Sequence, residues 1–115
     1  MFNYHYLNKI SEQGTALWTE NFQKTDDLEA AEAIVVRSAG MHDMQMPENL
    51  LAVARAGAGV NNIPLTTCAE AGIVVFNTPG ANARSVMELT LCGMFLASRD
   101  IVGGINWVQS IKGSA

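Results

Sequence analysis

Two arginines and a closely spaced pair of glycines are the residues of this chain best suited to chemistry. Arg55-Ala56-Gly57-Ala58-Gly59 follows the apolar run Leu50-Leu51-Ala52-Val53-Ala54 and leads into Val60-Asn61-Asn62-Ile63-Pro64. Arg37-Ser38 follows a second apolar run, Ala33-Ile34-Val35-Val36. Each guanidinium therefore stands where a strand-like run gives way to a loop. A guanidinium offers a rigid fork of donors to a carboxylate or phosphate. Gly57 and Gly59 permit positive φ and leave room for an anion to reach the backbone N–H groups between them. The chemistry these types support is anion binding.

The other reactive side chains read as structural. His42 and Asp43 are adjacent, which seldom lets one orient the other, and no further metal ligands lie near in sequence. His5 falls within a strand-like run. Cys68 and Cys92 sit inside helical patterns flanked by apolar residues and are expected as buried, reduced thiols. The Gly57-x-Gly59 pair lacks the third glycine and the later acidic residue of a dinucleotide-binding turn, so by itself it equally suits a tight strand-to-helix turn.

Elements that position these groups follow from patterning. Met1–Leu7 reads as a first strand, and Ser11–Trp18 as a short helix weakened at Gly14 by about 1 kcal/mol relative to alanine. Phe22 marks a brief strand or an anchor, and Asp27–Ala31 one helical turn. Ala33–Val36 has the β-branched content of a central parallel strand buried on both faces. Pro64 opens a helix that includes Thr66–Ala71 and is stopped by Gly72; Ile73–Phe76 is a strand and Asn77–Asn82 a loop. A helix follows over Ala83–Arg99, with Asn82 and a Ser85/Glu88 capping box competing to start it. Strands alternating with helical segments imply βαβ units, a parallel sheet, and ligands beyond the carboxyl ends of its strands.

From Val86 to Ala97 that helix is apolar nearly all round, yet shorter than the roughly 20 residues a bilayer span takes. It is expected to pack between two bodies of protein. Gly103-Gly104 should break the helix, leaving Ile105, Trp107, Val108 and Ile111 in a tail, through Ser114 and Ala115, with little chain to cover them. That pattern suggests a domain boundary made by truncation or by exchange with another chain.

At 115 residues and 49% hydrophobic, the chain is one domain at most with enough apolar content for a core. A net charge of -4 without a Lys/Arg cluster argues against a nucleic-acid partner held through phosphates. No membrane span or leader pattern is visible, so the expected location is the cytoplasm.

Three stretches taken in order resemble the N-terminal part of the D-isomer-specific 2-hydroxyacid dehydrogenases, above all the branch that oxidises 3-phosphoglycerate to 3-phosphohydroxypyruvate in the first step of serine synthesis. They are Ala33–Ser38, Arg55–Ile63, and Gly72–Leu89 with Asn77-Thr78-Pro79-Gly80-Ala81-Asn82-Ala83-Arg84-Ser85-Val86 at its centre. The residues before Ala33 agree only in pattern. The resemblance implies an α/β, flavodoxin-like parallel sheet flanked by helices, incomplete, with an interdomain helix at its C-terminal end. Residues 1–82 would belong to the substrate domain. Residues 83–115 would form the interdomain helix and the start of an NAD-binding domain.

It further implies NAD as cofactor, a small anionic 2-hydroxyacid as substrate and a homo-oligomer. Arg37, Ser38, Arg55, Ala58, Gly59 and Asn82 match substrate contacts, while Ala58 and Val86 match positions beside the cofactor. The family's catalytic arginine, glutamate and histidine, and its pyrophosphate-binding glycines, match nothing in these residues, so no catalytic residue and no metal site is expected. Asn61 and Pro64 stand where the family often carries aspartate, which leaves the identity of the 2-hydroxyacid open. The rival expectations are a stand-alone small-anion-binding or regulatory module and an assembly module built on the apolar helix.

Overall fold

The computed structural model describes residues 1–113; Ser114 and Ala115, the end of the apolar tail, lie outside the described residues. The chain divides into two units, Met1–Pro79 and Gly80–Ala115.

The first unit carries β1 (Phe2–Tyr6), α1 (Glu12–Thr15), β2 (Phe22–Lys24), β3 (Ala33–Val36), β4 (Ala52–Arg55), α2 (Leu65–Glu70) and β5 (Val74–Phe76). The five strands form one sheet in the order β2-β1-β3-β4-β5, and every pair is parallel. This is the α/β parallel sheet expected, in the doubly wound order 2-1-3-4-5. Register sets Ile34 beside Val53 and Val53 beside Val75. Ile34, Val36 and Val53 are fully buried, as are Met41, Ile63 and Cys68, and Leu50 and Ile73 are buried beside them. The core thus lies on one face of the sheet, under α2 and the long segment between β3 and β4.

The opposite face departs from expectation. Ala33 and Val35 are only half-buried, and Val74 and Phe76 remain 53% and 57% exposed. Alanines at 33, 52 and 54 give this face little to bury, and its cover is confined to Tyr4, Tyr6 and Trp18 at the β1 side. Tyr4 and Trp18 stack at 4.5 Å, and Trp18 Nε1 donates to the Tyr6 hydroxyl at 2.6 Å. The strand β3 is therefore buried on one face, not both. Asp27–Ala31 is a hydrogen-bonded turn, Ala31 N to Leu28 O at 3.1 Å, instead of a helical turn. Gly72 ends α2 as expected, in the left-handed region at φ 73°, where a side chain would be strained.

The second unit is a pair of helices, α3 (Ala83–Ser98) and α4 (Ile101–Ile111). The break between them falls at Asp100, in the left-handed conformation at φ 46°, and not at Gly103-Gly104, which lie inside α4. The Asp100 carboxylate folds back over Gly103, where any Cβ would collide with it, while Gly104 N–H donates to Asp100 O at 2.9 Å. Gly103 thus permits the turn that precedes it. The Ser85/Glu88 capping box does not form: Ser85 is inside α3, Glu88 pairs with Arg84 at 3.4 Å, and Asn82 is the N-cap without a side-chain bond.

None of the described residues of this unit is buried, with Leu89 at 73% and Phe95 and Trp107 at 64% exposure. The burial expected for Val86–Ala97 is absent from the structure because, within the unit, only α4 lies against α3. The same correction applies to Cys92, which is exposed; Cys68 is buried, its thiol pKa raised by burial, and both are free. Among the described residues no helix is long and apolar enough to cross a membrane.

Candidate functional site

Because the sheet is parallel, β1, β3, β4 and β5 all deliver their following loops to one end. The strand order reverses between β1 and β3: the chain leaving β1 turns toward β2, and the chain leaving β3 turns toward β4. Such a reversal opens a crevice beyond the strand ends, the usual place for a ligand in this architecture.

Arg37 and Ser38 leave β3 at that crevice and are exposed. Their backbone is held by Asn8, whose Oδ1 accepts the N–H groups of Arg37, Ser38 and Ala39 at 2.8, 3.1 and 3.1 Å. One side-chain oxygen therefore fastens the loop after β1 to the loop after β3. The Arg37 guanidinium and the Ser38 hydroxyl donate to nothing among the described residues.

Arg55 closes β4 next to Val36. Its Nε donates to Arg37 O at 2.9 Å and its Nη1 to Asn61 Oδ1 at 3.4 Å. It fixes the two loops to each other and keeps donors in reserve, since a guanidinium has five N–H groups. Neither Arg37 nor Arg55 is ion-paired among the described residues.

The glycine loop that follows Arg55 is braced from the residues after β5: Thr78 N donates to Gly57 O at 3.0 Å and Asn77 Nδ2 to Ala58 O at 2.7 Å. The N–H groups of Ala58 and Gly59 donate to no other group of the described residues. Two free amides beside an arginine can hold a carboxylate. The glycines serve space and not positive φ, however, because the positive-φ glycines are Gly72, Gly80 and Gly113. A Cβ on Gly59 would lie 2.7 Å from Arg55 Nη1 and 3.2 Å from Asn61 Oδ1.

Neighbouring polar groups complete the frame. Asn62 Nδ2 donates to Ala39 O at 2.7 Å, and its buried Oδ1 has no partner among the described residues. His42 Nε2 lies 2.9 Å from Asn61 O, and His5 Nδ1 3.0 Å from Thr25 O, so each ring is tied to backbone. No three metal-ligating side chains gather among the described residues.

The structure thus brings Arg37, Ser38, Arg55, Ala58 and Gly59 to one end of the sheet. Asn82 and Val86 belong to the second unit, as N-cap and first-turn residue of α3, Val86 being 53% exposed. The Asn82 side chain forms no cap bond, so capping does not occupy it. Sequence reasoning missed Asn8, Asn62 and Asn77, the asparagines that hold the loops in place.

Comparison with known proteins gives a consistent picture. The family model described as D-isomer specific 2-hydroxyacid dehydrogenase, catalytic domain, matches residues 5–110. The D-3-phosphoglycerate dehydrogenase of Archaeoglobus fulgidus is 44% identical over 73 residues, 61% of this chain and 14% of that protein. The hydroxypyruvate reductase of Thermotoga maritima is 37% identical over 98 residues, 83% of this chain and 32% of that protein. Among solved structures, the NAD+-bound 3-phosphoglycerate dehydrogenase of Entamoeba histolytica superposes with a TM-score of 0.65 at 25% identity, covering 83% of this chain and 38% of that one. The chain spans 14% and 32% of the length of these two curated relatives.

Proposed function

Because the chain belongs to the D-isomer-specific 2-hydroxyacid dehydrogenase family, we propose that it is the substrate-binding portion of an NAD-dependent D-3-phosphoglycerate dehydrogenase. The observation that carries this reading is the pair of undonated amides at Ala58 and Gly59 beside Arg55, at the same end of a doubly wound sheet as Arg37, neither arginine being ion-paired among the described residues. The carboxylate of a 2-hydroxyacid accepts the two N–H groups, and Arg55 holds the loop in the shape that presents them. Arg37 and Ser38 meet the remainder of the substrate, and Asn82, the N-cap of α3, is assigned to it by the family resemblance alone. NAD would supply the hydride acceptor; Ala58 in the first unit and Val86 in the second are each assigned to it by the family resemblance alone.

None of the described residues is assigned the proton transfer. His42 and His5 are engaged by backbone carbonyls, and the general acid–base role falls outside them. The expected result is therefore twofold. The protein at its native length, established by intact mass, oxidises 3-phosphoglycerate with NAD, and the 115-residue chain alone does not. Turnover by the 115-residue chain at an ordinary enzymatic rate would sink the reading, as would inactivity of the native-length protein toward every 2-hydroxyacid.

The apolar surface of α3 and α4 supports a homo-oligomer, since exposed apolar patches of this kind mark association sites. Sedimentation of the isolated 115-residue chain is expected to show self-association that rises with concentration. A monodisperse monomer at high concentration would count against it.

A further inference from the structure

Asn62 is tied to the segment between β3 and β4 twice. Met41 N donates to Asn62 O at 2.9 Å, and Asn62 Nδ2 donates to Ala39 O at 2.7 Å. The same nitrogen lies 3.5 Å from Arg37 O, which Arg55 Nε holds more closely at 2.9 Å. The stretch Arg37–Ala39 is thus gripped on its N–H groups by Asn8 and on its carbonyls by Arg55 and Asn62. A short turn passes this grip on to the glycine loop. Only Val60 and Asn61 separate Gly59 from Asn62, and Ile63 N, on a residue buried in the core, closes the turn onto Val60 O at 3.0 Å.

Packing alone does not ask for an amide at this position. The Asn62 Oδ1 is buried and accepts from nothing among the described residues, and an oxygen buried in that way disfavours the folded state. Leucine offers a similar shape without that oxygen; what it lacks is the donor to Ala39. We propose that Asn62 is a positioning residue for substrate binding, whose Nδ2 bond sets the Ala58-Gly59 amides at a fixed distance from Arg37 and Ser38. This rests on the reading that those two amides take the carboxylate of a 2-hydroxyacid. A carboxylate keeps its charge through the reaction, so a loosened hold weakens ground state and transition state alike. KM then rises while kcat holds. A side chain that only stabilised the fold would act on the fraction of active protein, and so on kcat at constant KM.

The test uses the native-length protein and the 2-hydroxyacid it turns over best. Asn62→Leu is expected to raise KM about tenfold, with kcat kept within about threefold. The main-chain bond from Met41 to Asn62 O survives the substitution and keeps the turn on the core. A KM that moves less than about threefold overturns the proposal, as does a kcat that falls by more than KM rises. Should Asn62→Leu fail to fold, the same constants are read in Asn62→Ala; failure of both to fold makes Asn62 a packing element and also overturns it. If the unsubstituted protein turns over no 2-hydroxyacid, the dehydrogenase reading has failed, and Asn62 is judged by titration with oxalate. There a Kd at least about threefold weaker in the variant supports the positioning role, and a smaller change, or no oxalate binding by the unsubstituted protein, overturns it.

Discussion

Gly59→Ala is expected to remove most ligand binding while leaving the fold standing. Gly59 is not in the left-handed region, so alanine adds no backbone strain. Its Cβ would, however, lie 2.7 Å from Arg55 Nη1, and the flexible tip of that side chain would give way before the backbone does. Moving the guanidinium breaks the bond to Arg37 O and releases the brace between the two loops. Loss of such charged hydrogen bonds is expected to weaken substrate affinity by about 10- to 100-fold, with stability changed by less than about 1 kcal/mol. Substrate titration and urea unfolding of the same variant check both halves. Unchanged affinity would show that the Arg55 position is irrelevant to the ligand; a collapse of stability would show that the loop is a packing element first.

The largest effect on stability is expected from Ile34→Ala. Ile34 is fully buried in the middle of β3, paired to His5 on one side and Val53 on the other, at the centre of the core cluster. Truncating a buried isoleucine to alanine costs about 2–5 kcal/mol, the higher part of the range applying where neighbours cannot collapse into the space. Domains have about 5–15 kcal/mol in total, and this core has one well-covered face of the sheet. The urea midpoint should fall accordingly, with the slope unchanged. A loss below about 1 kcal/mol would mean that α2 and the β3–β4 segment move in to fill the gap.

What the sequence disclosed and what it hid divide along physical lines. Ala33–Val36 is the observed extent of β3, because four consecutive apolar residues, two of them valine, followed by Arg-Ser leave little freedom about where a buried strand ends. Arg37, Arg55 and the glycine loop were legible for the same reason: they lie where such runs stop. Asn8 was not legible. Its partners are 29 to 31 residues away and are backbone amides, which no side-chain pattern announces.

The glycines misled in two ways. At 57 and 59 they suggest positive φ, whereas the structure uses their missing Cβ as room for a guanidinium. At 103 and 104 they suggest a break, yet two glycines cost a helix only about 2 kcal/mol relative to alanine, and the chain turns earlier at Asp100. Exposure of α3 was hidden because an apolar helix specifies that it needs cover without specifying which part of a protein provides it.

The clamp at Asn8 also bears on how such a site can change over evolutionary time. Asn8 grips amide protons, and every residue type except proline supplies one. Mutations at 37, 38 and 39 can therefore alter the charge or size of the groups facing the crevice without loosening the loop that carries them. Position 9 has the same liberty, since its neighbour does the anchoring. Single substitutions there change what faces the crevice, while Asn8 itself is the position at which drift is least affordable.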